Sequence, residues 1–556
     1  MATKENTTTN AVAAASWLPM GVILLAQMQM AFNVNALPVS IGPIVYELEV
    51  PATTVGTALV VYSLFVAAFV MVGAKVGKIF GERRVFQVTA LLHGIAMGLM
   101  AFSPDASVML GAQAIAGLAA AALVPTLVVL IAANYQDKQQ AQALGLLAGA
   151  PAMAGVLAFV VAGYLATAFS WRYSFGMLFF VSIAVFFLSF RLKPVARQSV
   201  TIDTVGAILA AFAIILISLG FNNLNNWGIL FAKDAAPFTL LGLSPAPFMV
   251  IVGVVLGQAF FMWSHRRKAA NKTPLLALEV LDSPQERSAT FAMFVIGALG
   301  PAVNFLIPLY IQIVQGRTSM ETAVSVVPYT LAIFTSAVLI VRLYSRLSPR
   351  QIGSVAFVVV ATGLTILAFT IQNDWGTPIV ILGLVILGLG EGSLLTLLFN
   401  VLVSSSPKEL AGDVGALRGT ANNLSTALGT AFAGVVAVGL LSLLINTNLV
   451  NNPTIPPSLK AEVSLDAINY ISNDQLLAVL SETSATPEQV AEAVRINEEA
   501  RLRSLRSAFL ILAGISLLAI VPALGLPKYT PQNVPVGGAQ PQAKYGKKQK
   551  RAESAA

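Results

Sequence analysis

Fourteen times along this chain an apolar stretch runs long enough to cross a bilayer as a helix, which takes roughly 18 to 25 residues. The stretches lie near 17–38, 54–74, 85–102, 107–133, 140–165, 172–190, 204–221, 247–263, 288–314, 322–341, 351–371, 378–403, 415–445 and 507–526. Inside hydrocarbon a backbone must satisfy its own hydrogen bonds, and a run of helices does so without help from water. The composition agrees: 56% of the residues are hydrophobic and 10% charged, where a soluble domain carries about 25% charge. With a mean hydropathy of +0.79, the chain reads as an all-α, polytopic membrane protein. The first stretch has only Lys4 in front of it and no small-residue cleavage site behind, so it reads as a retained span.

Several function classes drop out at this point. With no cysteine and two histidines, a disulfide scaffold and a zinc module are excluded. No stretch has the form of a phosphate loop, a metal cluster or a nucleophile triad, so an enzyme is not expected, and neither is a metal or cofactor. The net charge of +8 follows the topology: basic residues concentrate in alternate loops, at Lys75, Lys78, Arg83 and Arg84, at Arg266, Arg267, Lys268 and Lys272, and in the tail from Lys544 to Arg551. The short loops on the other side keep only Arg172, Lys233 and Arg317. The positive-inside rule therefore places both termini in the cytoplasm of an inner or plasma membrane, with anionic lipid as a partner of the basic face.

The spans group as six, two and six. Residues 1–16 form a cytoplasmic segment, 17–190 a six-helix bundle, and 191–287 two inserted helices with basic cytoplasmic linkers. Residues 288–527 form a second six-helix bundle that includes an extracytoplasmic loop at 446–506, and 528–556 a basic cytoplasmic tail. The loop after the second span has a basic counterpart after the tenth, Arg342, Arg346 and Arg350, as expected of two related halves. In the long loop, Thr486-Pro487-Glu488-Gln489 has the form of a capping box with proline at the first helical position. It predicts a helix from about 487 into the last span, with Glu499 and Arg503 paired at i, i+4.

Five motifs in order carry a family resemblance. Gly73 to Phe86 holds a loop Gly-Ala-Lys-Val-Gly-Lys-Ile-Phe-Gly-Glu-Arg-Arg-Val-Phe, the first span ends in Ala36-Leu37-Pro38, and Ser170-Trp171-Arg172 opens the sixth. Asp203-x-x-Gly206 opens the seventh, and Tyr310-Ile311-Gln312 with Gly316 closes the ninth. The chain resembles the fourteen-span drug:proton antiporter branch of the major facilitator superfamily over nearly its whole length. The resemblance implies alternating access around a midplane site, lined by spans one, four, nine and twelve. It also implies a cytoplasmic latch in the second loop, where Lys78, Glu82, Arg83 and Arg84 are the candidates. Lys78 and Glu82 carry charges swapped relative to the family, and an i, i+4 pair remains open if the stretch is helical. Other positions also depart from the pattern: Gln29 stands for an aspartate, Gln113 for an arginine, and Ala158-Phe159 for a Gly-Pro pair.

Within the spans, Glu391 of Gly388-Leu389-Gly390-Glu391-Gly392-Ser393 is the one carboxylate near a midplane. An ionised group there costs roughly 2.5–3.5 kcal/mol. It reads either as a proton site or ligand for a polar group, or as a neutral acid bonded to a neighbouring helix. The flanking glycines would let helices approach closely and offer backbone to the carboxylate. Gln29 and Asn33, one turn apart on the first span, join Gln113, Asn304 and Asn422 as candidates to line a wet cavity. Interhelical hydrogen bonding is the alternative for each. Tyr62, with Phe65 and Phe69 on one helical face, is a further cavity candidate, although such a stripe is more often core. His93 reads as a packed, neutral histidine, and Gly73, Gly77 and Gly81 read as close helix contact.

The expected function is secondary active transport of a small amphipathic molecule, most simply proton-coupled export, with Glu391 carrying the proton. Two alternatives stay open, an uncoupled facilitator and a transport-inactive accessory subunit. For the loop at 446–506, cover of the external mouth and a protein partner are both open.

Overall fold

The computed structural model describes residues 16–343, 346–373, 378–405, 411–450, 452–456 and 470–528. Fourteen of its helices are long and apolar enough to cross a membrane. They are α1 (Leu18–Val39), α2 (Ala52–Phe80), α3 (Glu82–Ala101), α4 (Ala106–Asn134), α5 (Asp137–Ala168), α6 (Arg172–Leu188), α7 (Thr204–Asn222), α8 (Pro245–Ala269), α9 (Pro284–Leu309), α10 (Ser319–Leu343), α11 (Pro349–Thr370), α12 (Pro378–Ser405), α13 (Ala411–Val450) and α14 (Pro487–Leu518). No strand occurs among the described residues.

Helix ends are marked by side chains that satisfy the first free N–H groups, which otherwise lack partners. Asp105 caps α4 and Asp203 caps α7. Ser283 with Glu286, Ser348 with Gln351, and Thr486 with Gln489 form reciprocal capping boxes on α9, α11 and α14. Such caps carry helices past the apolar stretch. That is why α9 begins at Pro284, four residues before the expected 288, whereas α8 continues through Arg266, Arg267 and Lys268 at its C-terminal end, where basic side chains suit the helix dipole.

The first six helices pack together, with α2 and α3 against α4, α3 against α6, and α1 against α5. In the last six, α11 and α10 pack on α12, α9 on α13, and α14 on α11 and α13. Two seams join the halves, α2 with α13 and α5 with α10. The inserted helix α7 packs on both α2 and α13, whereas α8 leans mainly on α7 and stays peripheral. An even number of spans puts the start of α1 and the end of α14 at one end, here the terminus end, and the end of α13 and the start of α14 at the other, the loop end.

At the loop end, α13 runs 40 residues to Val450, about 60 Å at 1.5 Å per residue and twice a hydrocarbon core. The expected span of 415–445 was short because the polar continuation remains helical. The described part of the long segment is packed, not loose. Ile455 and Ile496 form a small core with Leu449, Ala485 and Ala493. Buried Arg501 donates to the Ile471 carbonyl (2.5 Å) and Asn473 Oδ1 (2.6 Å), and Asn452 donates to Glu492 (2.6 Å). The predicted helix from Pro487 and its Glu499–Arg503 pair (3.3 Å) are present. Arg506 donates to the Ile371 carbonyl at the end of α11 (2.8 Å), so this unit is tied to the second bundle.

Candidate transport site and its gates

Glu391 is buried in α12. Its Oε2 accepts the hydroxyl of Tyr329 on α10 at 2.5 Å, and its carboxylate lies directly against Gly300 of α9, where any side chain would force the carboxylate to move. The three flanking glycines do the first of the two jobs expected of them, close helix approach. Gly388 and Gly392 abut the backbone of α10 at Tyr329 and Ile333, and Gly390 abuts α11 at Ala356. They bring α10 and α11 against α12, while Gly300 lets α9 approach the acid, so the carboxyl bridges α12, α10 and α9 and takes a phenol hydroxyl where backbone was anticipated. Tyr329 was missed in the sequence. Its only signal there was a lone mid-span tyrosine after Pro328.

Polar groups continue along the same face of α9. Asn304 lies one turn beyond Gly300 and is half-buried. One turn the other way, Gly297 faces Ser425 and the exposed Asn422 of α13. Four residues before Asn422, the Arg418 guanidinium stacks over the Phe399 ring of α12 at 3.8 Å. The signal for Arg418 in the sequence is its place inside the thirteenth apolar run.

The first half holds a separate polar group. Asn33 of α1 and Gln113 of α4 exchange two amide hydrogen bonds, 2.9 and 3.0 Å, and both are fully buried. Gln29 accepts the Ser182 hydroxyl of α6 at 2.8 Å and leaves its Nε2 without a partner. In this conformation the three amides tie helices together, which is the alternative the sequence left open for each, with Gln29 only partly satisfied. Tyr62 is buried, with its backbone against Gly117 of α4, and Phe65 stacks on Phe69, so this stripe is packing. His93 is fully buried, and neither ring nitrogen has a hydrogen-bond partner.

Between Phe80 and Glu82, Gly81 takes a φ of 94° and separates α2 from α3. Lys78 and Glu82 therefore lie on different helices, and no ion pair joins them. This overturns the i, i+4 pair, since that register needs one continuous helix. Glu82 is instead buried against Gly77, with one oxygen unpartnered. Arg83 donates to the Phe190 carbonyl (2.9 Å), Arg84 is exposed, and the Lys78 carbonyl accepts the Gln198 N–H (2.8 Å). These partners all lie on the α6–α7 side. Of the three glycines, Gly73 makes the close contact, with α4 at Ala121.

Of the other motifs, those around Pro38, Trp171 and Gln312 act at the loop end, and Asp203, at the start of α7, at the terminus end. Trp171 and Arg172 both donate to Glu47, at 2.6 and 2.7 Å, and Arg172 also caps the carbonyls of Ala101 and Ser103. Asp203, besides capping α7, accepts Trp263 of α8 (3.0 Å). After Pro308, α9 widens into a π turn at Tyr310–Val314. That turn aims Gln312 across the seam between the halves. Its Oε1 accepts the Gly42 N–H (2.7 Å), and its Nε2 donates to the carbonyls of Val39 (3.0 Å) and Pro38 (3.3 Å) at the end of α1. On the α5–α10 seam, Thr167 accepts the Met320 N–H (3.0 Å). The loop end is thus closed.

Two helical bundles that meet at such breakable contacts, around buried polar side chains, define a membrane transporter. The profile of the Major Facilitator Superfamily matches residues 23–430, and the chain belongs to that superfamily. It is 25% identical over 517 residues to the multidrug efflux pump LfrA of Mycolicibacterium smegmatis, spanning 91% of this chain and 96% of the relative. It is 24% identical to a probable actinorhodin transporter of Streptomyces coelicolor, over 88% of this chain and 84% of that one. Among solved structures it resembles a bacterial homologue of the human lysosomal transporter Spinster in an inward-facing, occupied conformation, with a TM-score of 0.56, 16% identity, and coverage of 90% and 96%. The peptide transporter POT in complex with sulfate gives a TM-score of 0.56 at 15% identity, covering 91% and 95%.

Proposed function

We propose that this chain is a proton-coupled exporter of small amphipathic compounds, working by alternating access in a plasma membrane with both termini and the basic tail cytoplasmic. The observation that carries the reading is Glu391: a mid-span carboxyl group bridging α9, α10 and α12, held by a single phenol hydroxyl. Rearrangement of these three helices changes what surrounds the acid, which is how a proton carrier is exposed to one side and then the other. Asn304, Asn422 and Arg418 offer hydrogen bonds and charge for the polar part of a substrate along the same wall. The closed loop end, latched by Gln312, supports a conformation open toward the cytoplasm. Export as the direction draws on the relatives named as efflux and antibiotic transporters.

The test is reconstitution. Glu391→Gln preserves shape and hydrogen bonding but removes the titrating proton, so it should abolish substrate accumulation driven by a pH gradient while downhill exchange persists. Tyr329→Phe should shift the pH profile of transport and retain coupling. Accumulation by Glu391→Gln with an unchanged pH profile sinks the coupled reading. An uncoupled facilitator is the second reading, and the neutral amides Gln29 and Gln113 in the first half favour it, since both are bonded to neighbours and neither titrates. Wild-type transport with no dependence on a pH gradient would select it. Anionic lipid at the basic loops and a protein partner at the loop-end unit remain part of the same proposal, tested by co-purification.

A further inference from the structure

Arginines packed among the helices of this fold are engaged with protein acceptors. Arg172 serves Glu47, Ala101 and Ser103, Arg267 serves Asp203 and the Thr273 carbonyl, and Arg501 and Arg506 serve the carbonyls of Ile471 and Ile371. Arg418 differs. Among the described residues no carboxylate or carbonyl takes its guanidinium, although it projects from the apolar run of α13. Its contact is with the face of the Phe399 ring on α12, at 3.8 Å.

The neighbours of α13 show which way Arg418 points. Ser425 and Gly429 face α9, at Gly297 and Ala298, and Gly419 faces Val70 of α2 in the other half. At about 100° per residue, Gly415, Arg418 and Asn422 point between those two directions, and all three are exposed. This stripe therefore looks into the space between the bundles. On α12, Phe399 lies eight residues from Glu391, about 12 Å toward the terminus end and about 80° round the helix. That is the side of Gly388 and Gly392, which face α10, and away from Gly390, which faces α11. Since α9 stands between α12 and α13, and α11 and α14 pack behind it, the guanidinium crosses in front of α9. Asn422 joins the two ends of the wall: it faces Gly297, three residues from the Gly300 that lies against Glu391.

An arginine within a span is costly unless water or an anion meets it. Stacking on a ring holds the planar fork still while leaving the edge that carries its N–H donors free. That edge fits the two oxygens of a carboxylate or sulfonate. We infer that Arg418, stacked on Phe399, is the acid-binding point of the transport site, and that the protein carries amphipathic molecules bearing a carboxylate or sulfonate. The acid group sits at the terminus end of the wall, Asn422 takes a neighbouring polar group, and the rest of the molecule extends toward Glu391. The inference rests on the transport reading above and narrows its substrate class.

Rhodamine B carries a free carboxylate, and its ethyl ester is the same dye with that group blocked. Fluorescence anisotropy on the full-length protein in detergent should give the acid a Kd at least tenfold below that of the ester. Arg418→Gln should bring the two within about twofold. Arg418→Lys keeps a charge without the fork and should give an intermediate preference; if the glutamine variant does not fold, this loss alone decides. A wild type that does not prefer the acid, or Arg418 variants that keep the full preference, would overturn the site. Binding needs no transport, so the two readings separate. Rhodamine B held through Arg418 but never accumulated in proteoliposomes would sink the transport reading and leave the acid site standing.

Discussion

Gln312 offers the most direct measurement of how the loop end is held shut. Its amide makes three hydrogen bonds across the seam, to Gly42, Val39 and Pro38. Replacing it with Leu keeps the volume and removes all three. Hydrogen bonds between membrane helices average about 0.6 kcal/mol each, so the closed state should lose about 2 kcal/mol, which is about thirtyfold in the open-to-closed ratio. Gly42→Ala attacks the same latch from the other side, because a Cβ there would lie 2.9 Å from Gln312 Oε1 and displace the amide. The readout is the rate at which an impermeant maleimide applied at the loop end modifies Ser40→Cys, a buried position inside the latched segment. Each substitution should raise that rate, by up to thirtyfold for Gln312→Leu. Because both break one latch, the double variant should be little faster than the faster single. Unchanged labelling, or fully additive effects, would show that Gln312 does not hold the loop end closed.

Three further outcomes follow from the packing. Asn33→Leu or Gln113→Met alone strands a buried amide, at a cost of about 1–3 kcal/mol, whereas the double replacement should recover most of it; thermal unfolding in detergent would read the cycle. Arg172→Lys keeps the charge but loses the planar fork shared among Glu47, Ala101 and Ser103, and should cost about 2 kcal/mol by the same measurement. At the loop-end unit, the Arg495 guanidinium and the Asn452 amide pull the Glu492 carboxyl down to about 2. A depressed carboxyl stabilises the fold above its ordinary range and loses that contribution as pH falls through its folded value. Limited proteolysis of this unit should therefore be flat from pH 7 to about 5 and rise progressively from about pH 4.5 down to about 2, and a rise already between pH 7 and 5 would contradict the pairing.

The sequence by itself determined the fourteen helices, the class of fold and Glu391 as the outstanding intramembrane acid. Each of these follows from the cost of placing charge or unpaired backbone in hydrocarbon, a cost that is read along the chain one span at a time. It also predicted the capping box at Thr486, because a cap is decided by residues three positions apart. What it could not decide is which side chains meet across helices. Gln29, Asn33 and Gln113 sit at the depth of a cavity, but only the rotation of α1, α4 and α6 turns them onto each other and away from water. Lys78 and Glu82 have the spacing of a helical pair until a left-handed Gly81 parts them. Tyr329 and Glu391 are 62 residues apart, and Gln312 lies 270 residues from Gly42. No local pattern encodes such partners, because they depend on how whole helices tilt, rotate and approach, and that is set by packing summed over the entire bundle.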